Sequence, residues 1–281
     1  MPQLDGGCMA QKLFRDPLYD YIAIDKDSWL LKLLNCPEVQ RLRYINQLGL
    51  SQFTYPGASH SRFSHSLGVL HLMQLCLSYL KQTYSENHFK LLDEEALLSA
   101  ALLHDIGHAP FSHATEGIFG NHDERTVEII FNPDSEVHRA LSERAKSLPS
   151  KVAALIAKRL PTGAKQPPLW QKSLISSQLD MDRLDYLRRD SLCSGAEYGN
   201  FDWFRIIHTI QLKEKVIPRG QREKGQKVIY VVWPDKSKFA LEEYIFSRFY
   251  MYQSVYFHHT TRGFEGLLKK NFTMRTGYCE E

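Results

Sequence analysis

Apolar residues recur every three or four positions along most of the chain, which is the period of helices that bury one face. Asp27 or Ser28 can cap a short helix reaching Leu34, and Pro37 then opens another that runs to about Leu48. The turn at Pro56-Gly57 leads into a long helical pattern over 62–84. Asp93-Glu94-Glu95 puts negative charge at the start of the next helix, and Gly107 ends or bends it. Further helical patterns cover 121–131, 135–147, 150–160 and 176–191, while the Pro-rich stretch 161–168 reads as exposed loop. The period then changes. Residues 208–218 and 226–233 read as two strands around a glycine-containing loop, and a last helix follows over about 238–270. The pattern predicts a mostly α helical bundle, one domain over 1–281, with a small β-hairpin appendage at 208–233.

Composition narrows the class without naming a function. Hydrophobic residues at 43% and charged residues at 24% of 281 describe an ordinary globular chain, long enough for one large core. A net charge of +3 is too small to argue for a nucleic-acid coat or a membrane surface. The basic run 218–224 reads as a solvated loop. The five cysteines, Cys8, Cys36, Cys76, Cys193 and Cys279, are scattered without a CxxC, so no disulfide framework is expected. No apolar run reaches membrane-spanning length and no leader pattern opens the chain, so a cytoplasmic protein is expected.

The candidate chemistry lies at polar edges of the apolar helical patterns. His65, the pair His104-Asp105, and Asp182 are imidazoles and carboxylates of the kind that hold borderline divalent metals. Arg62 and His65 are three apart and share a helix face, which sets a guanidinium beside a ligand, as phosphate oxygens would require. His108 follows His104 by one turn, and His113 comes soon after. Either all three are ligands in a two-metal site, or His104 alone binds metal while His108 and His113 face a substrate and supply a proton. Glu116 stands three residues after His113 and can orient its ring. Asp182, Tyr186 and Asp190 fall at four-residue steps and form one stripe; Arg248, Tyr252 and Tyr256 form another, for which aromatic core is the competing reading.

At these residues the chain resembles the HD superfamily of metal-dependent phosphohydrolases, in the branch that contains the SAM-and-HD-domain deoxynucleoside triphosphate triphosphohydrolase. The resemblance covers about 12–262, and includes Gln40-Arg41-Leu42-Arg43-Tyr44-Ile45, Tyr55-Pro56-Gly57-Ala58-Ser59-His60 and Gly107-His108-Ala109-Pro110-Phe111-Ser112-His113. It implies an HD-domain helical bundle that hydrolyses (deoxy)nucleoside triphosphates at the α-phosphorus to nucleoside and triphosphate. It further implies one divalent transition metal (Mn, Fe, Zn or Ni) on His65, His104, Asp105 and Asp182, with Mg accompanying the nucleotide. His108, His113, Glu116 and His122 match catalytic-pocket positions, with His113 protonating the leaving 5′-oxygen. Arg62, Arg183 and Arg248 match phosphate contacts, Tyr186, Asp190 and Tyr256 lie near the sugar, and Gln47-Leu48 read its hydroxyl edge.

The chain departs from that pattern in several places. Glu116 stands for aspartate, Asp123 for glutamate, Arg183 for lysine and Tyr252 for histidine. Lys12, Gln40 and Arg43 match a guanine-specific regulatory site, but Asn35 replaces the carboxylate that reads guanine, and the sequence ends soon after the Arg248 helix. Activity independent of guanosine triphosphate is therefore expected. The resemblance also implies a homo-oligomer with a nucleotide substrate. The alternatives are an HD phosphodiesterase or nuclease acting on cyclic nucleotides or RNA ends, and a non-catalytic nucleotide-sensing or nucleic-acid-binding scaffold; the modest net charge argues against a long polynucleotide.

Overall fold

The computed structural model describes residues 10–84, 93–216 and 227–276, without the side chains of His113 and 273–276. The basic run 218–224, Cys8 and Cys279 lie outside these residues. The first element is one that the hydrophobic pattern does not announce. β1 (Gln11–Asp16) pairs antiparallel with β2 (Asp20–Asp25), Gln11 opposite Asp25. Ile22 and Ile24 are the buried apolar residues of this hairpin, with Phe14 half-buried against the core, so alternation along the two strands is faint. Asp16 fixes its turn, its Oδ1 accepting from the backbone of Leu18 at 2.9 Å and Tyr19 at 3.1 Å.

The helices follow in order. α1 (Trp29–Leu34) starts at Ser28, whose hydroxyl accepts from Leu31 N. α2 (Pro37–Gln40) is a single turn, not the helix to Leu48 that the spacing predicts. Tight 3₁₀ turns over Arg41–Tyr44 and Gly49–Phe53 take its place. Gly49 explains part of this: its φ is +52°, and an added Cβ would lie 3.3 Å from the carbonyl of Phe111. α3 (Arg62–Thr83) and α4 (Glu94–Leu103) pack against each other at the centre. Every residue of α4 from Ala96 to Leu103 is buried, and each such leucine contributes about 1.5–3 kcal/mol of transfer free energy.

Five helices follow, α5 (Glu116–Phe119), α6 (His122–Phe131), α7 (Glu136–Arg144), α8 (Leu148–Ile156) and α9 (Leu169–Ile175); α8 and α9 pack on α4, α6 and α7 pack on α8, and α5 and α9 are not visible in the sequence pattern. α10 (Met181–Ser194) returns along α3, capped by Asp180 and ended by Gly195 at φ 72°. After α11 (Trp203–Ile207), β3 (Gln211–Val216) and β4 (Lys227–Val232) form the second antiparallel hairpin. The last helix differs from its expectation over 238–270. α12 (Lys238–Met251) passes into a π-helical turn at Tyr252–Tyr256, and α13 (His259–Thr276) starts anew. Tyr55 Oη donates to Ser254 O at 2.5 Å, and Thr54 and Thr261 share a 3.1 Å hydrogen bond, so the break is pinned to the turn before α3. Mostly helical, with two small hairpins, the architecture agrees with the class read from the sequence.

Candidate metal centre and active site

Three ligand candidates converge from three helices. His65 comes from the first turn of α3, His104 from the C-cap of α4, and Asp182 from the first turn of α10. One donor atom of each lies within 4.8 Å of the others. The Nε2 atoms of His65 and His104 are 3.2 Å apart, and Asp182 Oδ1 lies 3.0 Å from the first and 3.7 Å from the second. Both rings are fixed from behind: His65 Nδ1 is 2.8 Å from Asp185 Oδ2, and His104 Nδ1 is 3.0 Å from the carbonyl of Ala101. If those Nδ1 atoms carry the protons, both Nε2 atoms present lone pairs to one another and to a carboxylate. That array is repulsive alone and fits a cation, since two nitrogens bound at about 2.1 Å sit roughly 3.0–3.4 Å apart. Asp105 Oδ1 adds a fourth donor 3.4 Å from His104 Nε2. The electrostatics agree. Burial opposes a proton on His65, yet Asp182 and Asp185 push its pKa up to about 10, so the pocket stabilises positive charge.

Asp185 is the residue behind this centre. Fully buried, it accepts from Tyr19 Oη at 2.9 Å, faces His65, and takes Nε and Nη2 of Arg189 at 2.8 and 2.9 Å. Arg189 in turn donates Nη1 to Asp16 at 2.8 Å, which ties the first hairpin to the ligand shell. Burial raises the carboxyl pKa of Asp185, but Arg189 and His65 hold it well below the usual range. Gly68 makes room for the pair: a Cβ there would fall 1.9 Å from Asp185 Oδ1 and 2.4 Å from Arg189 Nη2. The sequence contains the Asp185–Arg189 spacing, but a four-residue charge pair reads as solvated surface until Asp16 and His65 are seen to enclose it.

Beside the cluster lies a second histidine pair. His108 and His122 stack with centroids 3.9 Å apart, and His108 Nε2 is 3.4 Å from Asp105 Oδ1. Burial and the Arg62 guanidinium push the His108 pKa down to about 3. Burial also opposes charge on His122, but Asp123 and Glu116 outweigh it and raise its pKa. Asp123, bonded to His122 and Lys158, is held down at about 2 despite burial. The loop from His104 to Ser112 is clamped by Thr126, whose hydroxyl donates to His104 O at 3.2 Å and accepts from Gly107 N at 2.9 Å. Phe111 and Ser112 hold left-handed backbone, φ 63° and 53°, a cost of order 1–3 kcal/mol each that the surrounding fold must overcome.

A cavity of about 410 Å³ opens onto these groups, within the range of small-molecule sites. Of the sequence-derived residues, Gln47, Leu48, Arg62, His65, Asp105, His108, His122, Asp182, Tyr186, Asp190, Tyr252 and Tyr256 border it. His104 is not among the lining residues, though it meets His65 and Asp182, and Glu116 bonds to His122 Nδ1. The His113 side chain is outside the described residues. Arg183 and Arg248 do not border the cavity; Asp180 and Gln178 hold them. Asp190 is shared by His60 Nε2 and Tyr256 Oη, each at 2.8 Å. Residues not anticipated from sequence include Phe111, from the loop before α5, and Phe257, Arg262 and Glu265, which lie beyond the helix break at 252–258.

The span that carries all four ligand candidates also matches a known family. The HD domain model matches residues 62–190, from the first residue of α3 into α10. Residues 62–190 are an HD domain. Similar proteins include YwfO of Bacillus subtilis, 39% identical over 267 residues that make up 95% of this chain and 56% of that protein. The deoxynucleoside triphosphate triphosphohydrolase SAMHD1 of Xenopus laevis is 30% identical over 231 residues, 70% of this chain and 36% of that one. A phosphohydrolase from Bacteroides thetaiotaomicron superposes with a TM-score of 0.72 at 32% identity, over 91% of this chain and 57% of that one. The chain thus spans about half the length of the curated relatives it matches. The relatives named for an activity are phosphohydrolases, and in this chain the His65–His104–Asp182 cluster is a candidate seat for a metal ion. No helix among the described residues is long and apolar enough to cross a membrane.

Proposed function

We propose that this HD-domain protein hydrolyses (deoxy)nucleoside triphosphates to nucleoside and inorganic triphosphate. The observation that carries the reading is that one cavity joins the cation-fitting cluster to a wall suited to a sugar. Gln47 Oε1 on that wall is buried without a hydrogen-bond partner among the described residues, which is costly unless a hydroxyl donates to it. Tyr256 and Asp190, already bonded to each other, line the same cavity with Tyr186. The chain's own residues then divide the work. Arg62 donates to Asp105 and to Ser112 Oγ and so fixes the fourth ligand candidate. His65, His104, Asp105 and Asp182 would hold a divalent transition ion, which when bound supplies Lewis-acid polarisation and an activated water. His108 is kept neutral by burial and Arg62. His113, matched by resemblance to the proton donor, passes a proton to the leaving 5′-oxygen.

The dNTP triphosphohydrolase named among the relatives supports this substrate class. The test is to incubate the Mn²⁺-loaded protein with a panel of ribo- and deoxyribonucleotides and separate the products by anion exchange. Triphosphate with nucleoside is the expected outcome; monophosphate with pyrophosphate overturns the reading. One observation favours the phosphodiesterase alternative: His108, Glu116 and His122 also bring donor atoms within 4.8 Å of one another. Two bound ions per chain and cleavage restricted to phosphodiesters would select it.

A further inference from the structure

The resemblance assigns the phosphate chain to Arg62, Arg183 and Arg248, but the side chains distribute otherwise. Arg183 Nη1 donates to the buried Asp180 at 2.6 Å and Arg248 Nη1 to Gln178 Oε1 at 2.8 Å, both away from the cavity lining. Arg62 borders the cavity but is only 3% exposed, and its guanidinium serves Asp105, Ser112 Oγ and the carbonyl of Gln47. The other arginine of the lining is Arg262, on the first turn of α13. Its side chain is 58% exposed, and its Nη1 meets Glu265 Oε2 at 2.7 Å. The backbone beneath it is firm, because Thr261 is 1% exposed and bonds to Thr54. The lining carboxylates are Asp105, Asp182, Asp190 and Glu265. A bound divalent ion offsets part of that charge, but a polyphosphate entering such a cavity needs a cation that can still turn toward it.

We propose that Arg262 is a substrate-binding residue that anchors the outer phosphates of the nucleotide, with Glu265 as the carboxylate that holds the guanidinium at the cavity edge and yields it to phosphate. This rests on the nucleotide reading of the cavity. It explains how a chain whose Arg183 and Arg248 are tied back keeps a phosphate clamp: the clamp is carried by α13, which the π-helical turn at Tyr252–Tyr256 delivers to the cavity. A guanidinium beside a competing carboxylate binds phosphate more weakly than a bare one. Arg262 and Glu265 therefore carry opposite expectations, and this separates a phosphate contact from a structural salt bridge.

The test is calorimetric titration of inorganic triphosphate into Mn²⁺-loaded wild type, Arg262→Ala, Arg262→Lys and Glu265→Gln, with metal content and melting temperature checked in each. Loss of the charged hydrogen bonds in Arg262→Ala should weaken binding about ten- to a hundred-fold, with Arg262→Lys between it and wild type. Glu265→Gln should bind triphosphate at least as tightly as wild type, which also serves if Arg262→Ala folds poorly. Equal affinity of wild type and Arg262→Ala overturns the inference, as does parallel weakening in Arg262→Ala and Glu265→Gln. A wild type that binds neither triphosphate nor any nucleotide overturns the underlying nucleotide reading as well.

Discussion

Replacing Asp185 by asparagine keeps the shape of the side chain and removes the charge on which the metal centre leans. The carboxylate takes bonds from Tyr19, His65 and two nitrogens of Arg189, all between 2.8 and 2.9 Å. Arg189 is 1% exposed, so the variant leaves a buried cation with Asp16 as its remaining carboxylate. Breaking a buried pair by removing one partner costs about 3–5 kcal/mol, and the surviving Asp16 contact puts the expectation near the lower end, about 3 kcal/mol. For a chain of this size that lowers the melting temperature by roughly 6–12 °C. Loss of the carboxylate behind His65 should also weaken metal binding about 10–100-fold. The pH dependence has a definite sign. A depressed folded pKa contributes stability that is present above the unfolded carboxylate pKa and lost as pH falls through the folded one. The gap between wild type and Asp185→Asn should therefore be full at neutral pH and narrow below about pH 4. Urea unfolding at several pH values and a competitive metal titration measure both effects. A variant within about 1 kcal/mol of wild type at pH 7 and with unchanged metal affinity would refute the argument.

Three further outcomes follow from the same geometry. Asp182→Ala and His104→Ala should each lower the metal content of the purified protein measured by elemental analysis, and unchanged content in both would remove the assignment. His113→Ala should keep the metal yet lose about 10²–10⁴-fold in turnover, read by product chromatography; near wild-type rate with metal bound moves the proton to His108 or His122. Gly68→Ala should destabilise by about 1–3 kcal/mol or more and weaken metal binding with it, because its Cβ lies 1.9 Å from Asp185 Oδ1; a stable variant with normal metal affinity would mean that Asp185 can shift.

What was legible in the sequence is what long apolar periods announce. α3, α4 and α10 stand out because each carries its ligand candidate at the edge of a buried face, and Ser28 and Asp93 sit at helix starts where their side chains accept backbone N–H groups; the cap Asp180 was not legible, since the spacing starts that helix at 176. β1 and β2 were not legible, since a hairpin with two core residues lacks a period. α9 was missed for its seven residues. The break between α12 and α13 falls where no proline or glycine interrupts the helical spacing; it is set by Tyr55 and Thr54, two hundred positions away in the chain. The same limit applies to the site. Spacing sets Arg183 beside Asp182 and Arg248 four residues before Tyr252, yet which acceptor captures a guanidinium depends on Asp180 and Gln178, and only the folded chain decides that.

Asp16 makes the non-local part of the centre testable. The HD domain match begins at residue 62, but the carboxylate that closes the shell behind Asp185 comes from the first hairpin. Arg189 is shared between the two acids, so their removals should not be independent. Asp16→Asn alone leaves Asp185 in place and should cost about 1.5–3 kcal/mol, the scale of one charged hydrogen bond. Removing both acids strands a buried guanidinium, so Asp16→Asn/Asp185→Asn should fall below the sum of the singles by about 1 kcal/mol or more. Adding Arg189→Met removes the stranded charge and should recover much of that excess, because an apolar side chain of similar length can replace a buried ion pair at little cost. Urea unfolding of the four members of the cycle and of the triple variant measures each term. Strict additivity, or no recovery with methionine, would show that Arg189 does not couple the hairpin to the ligand shell.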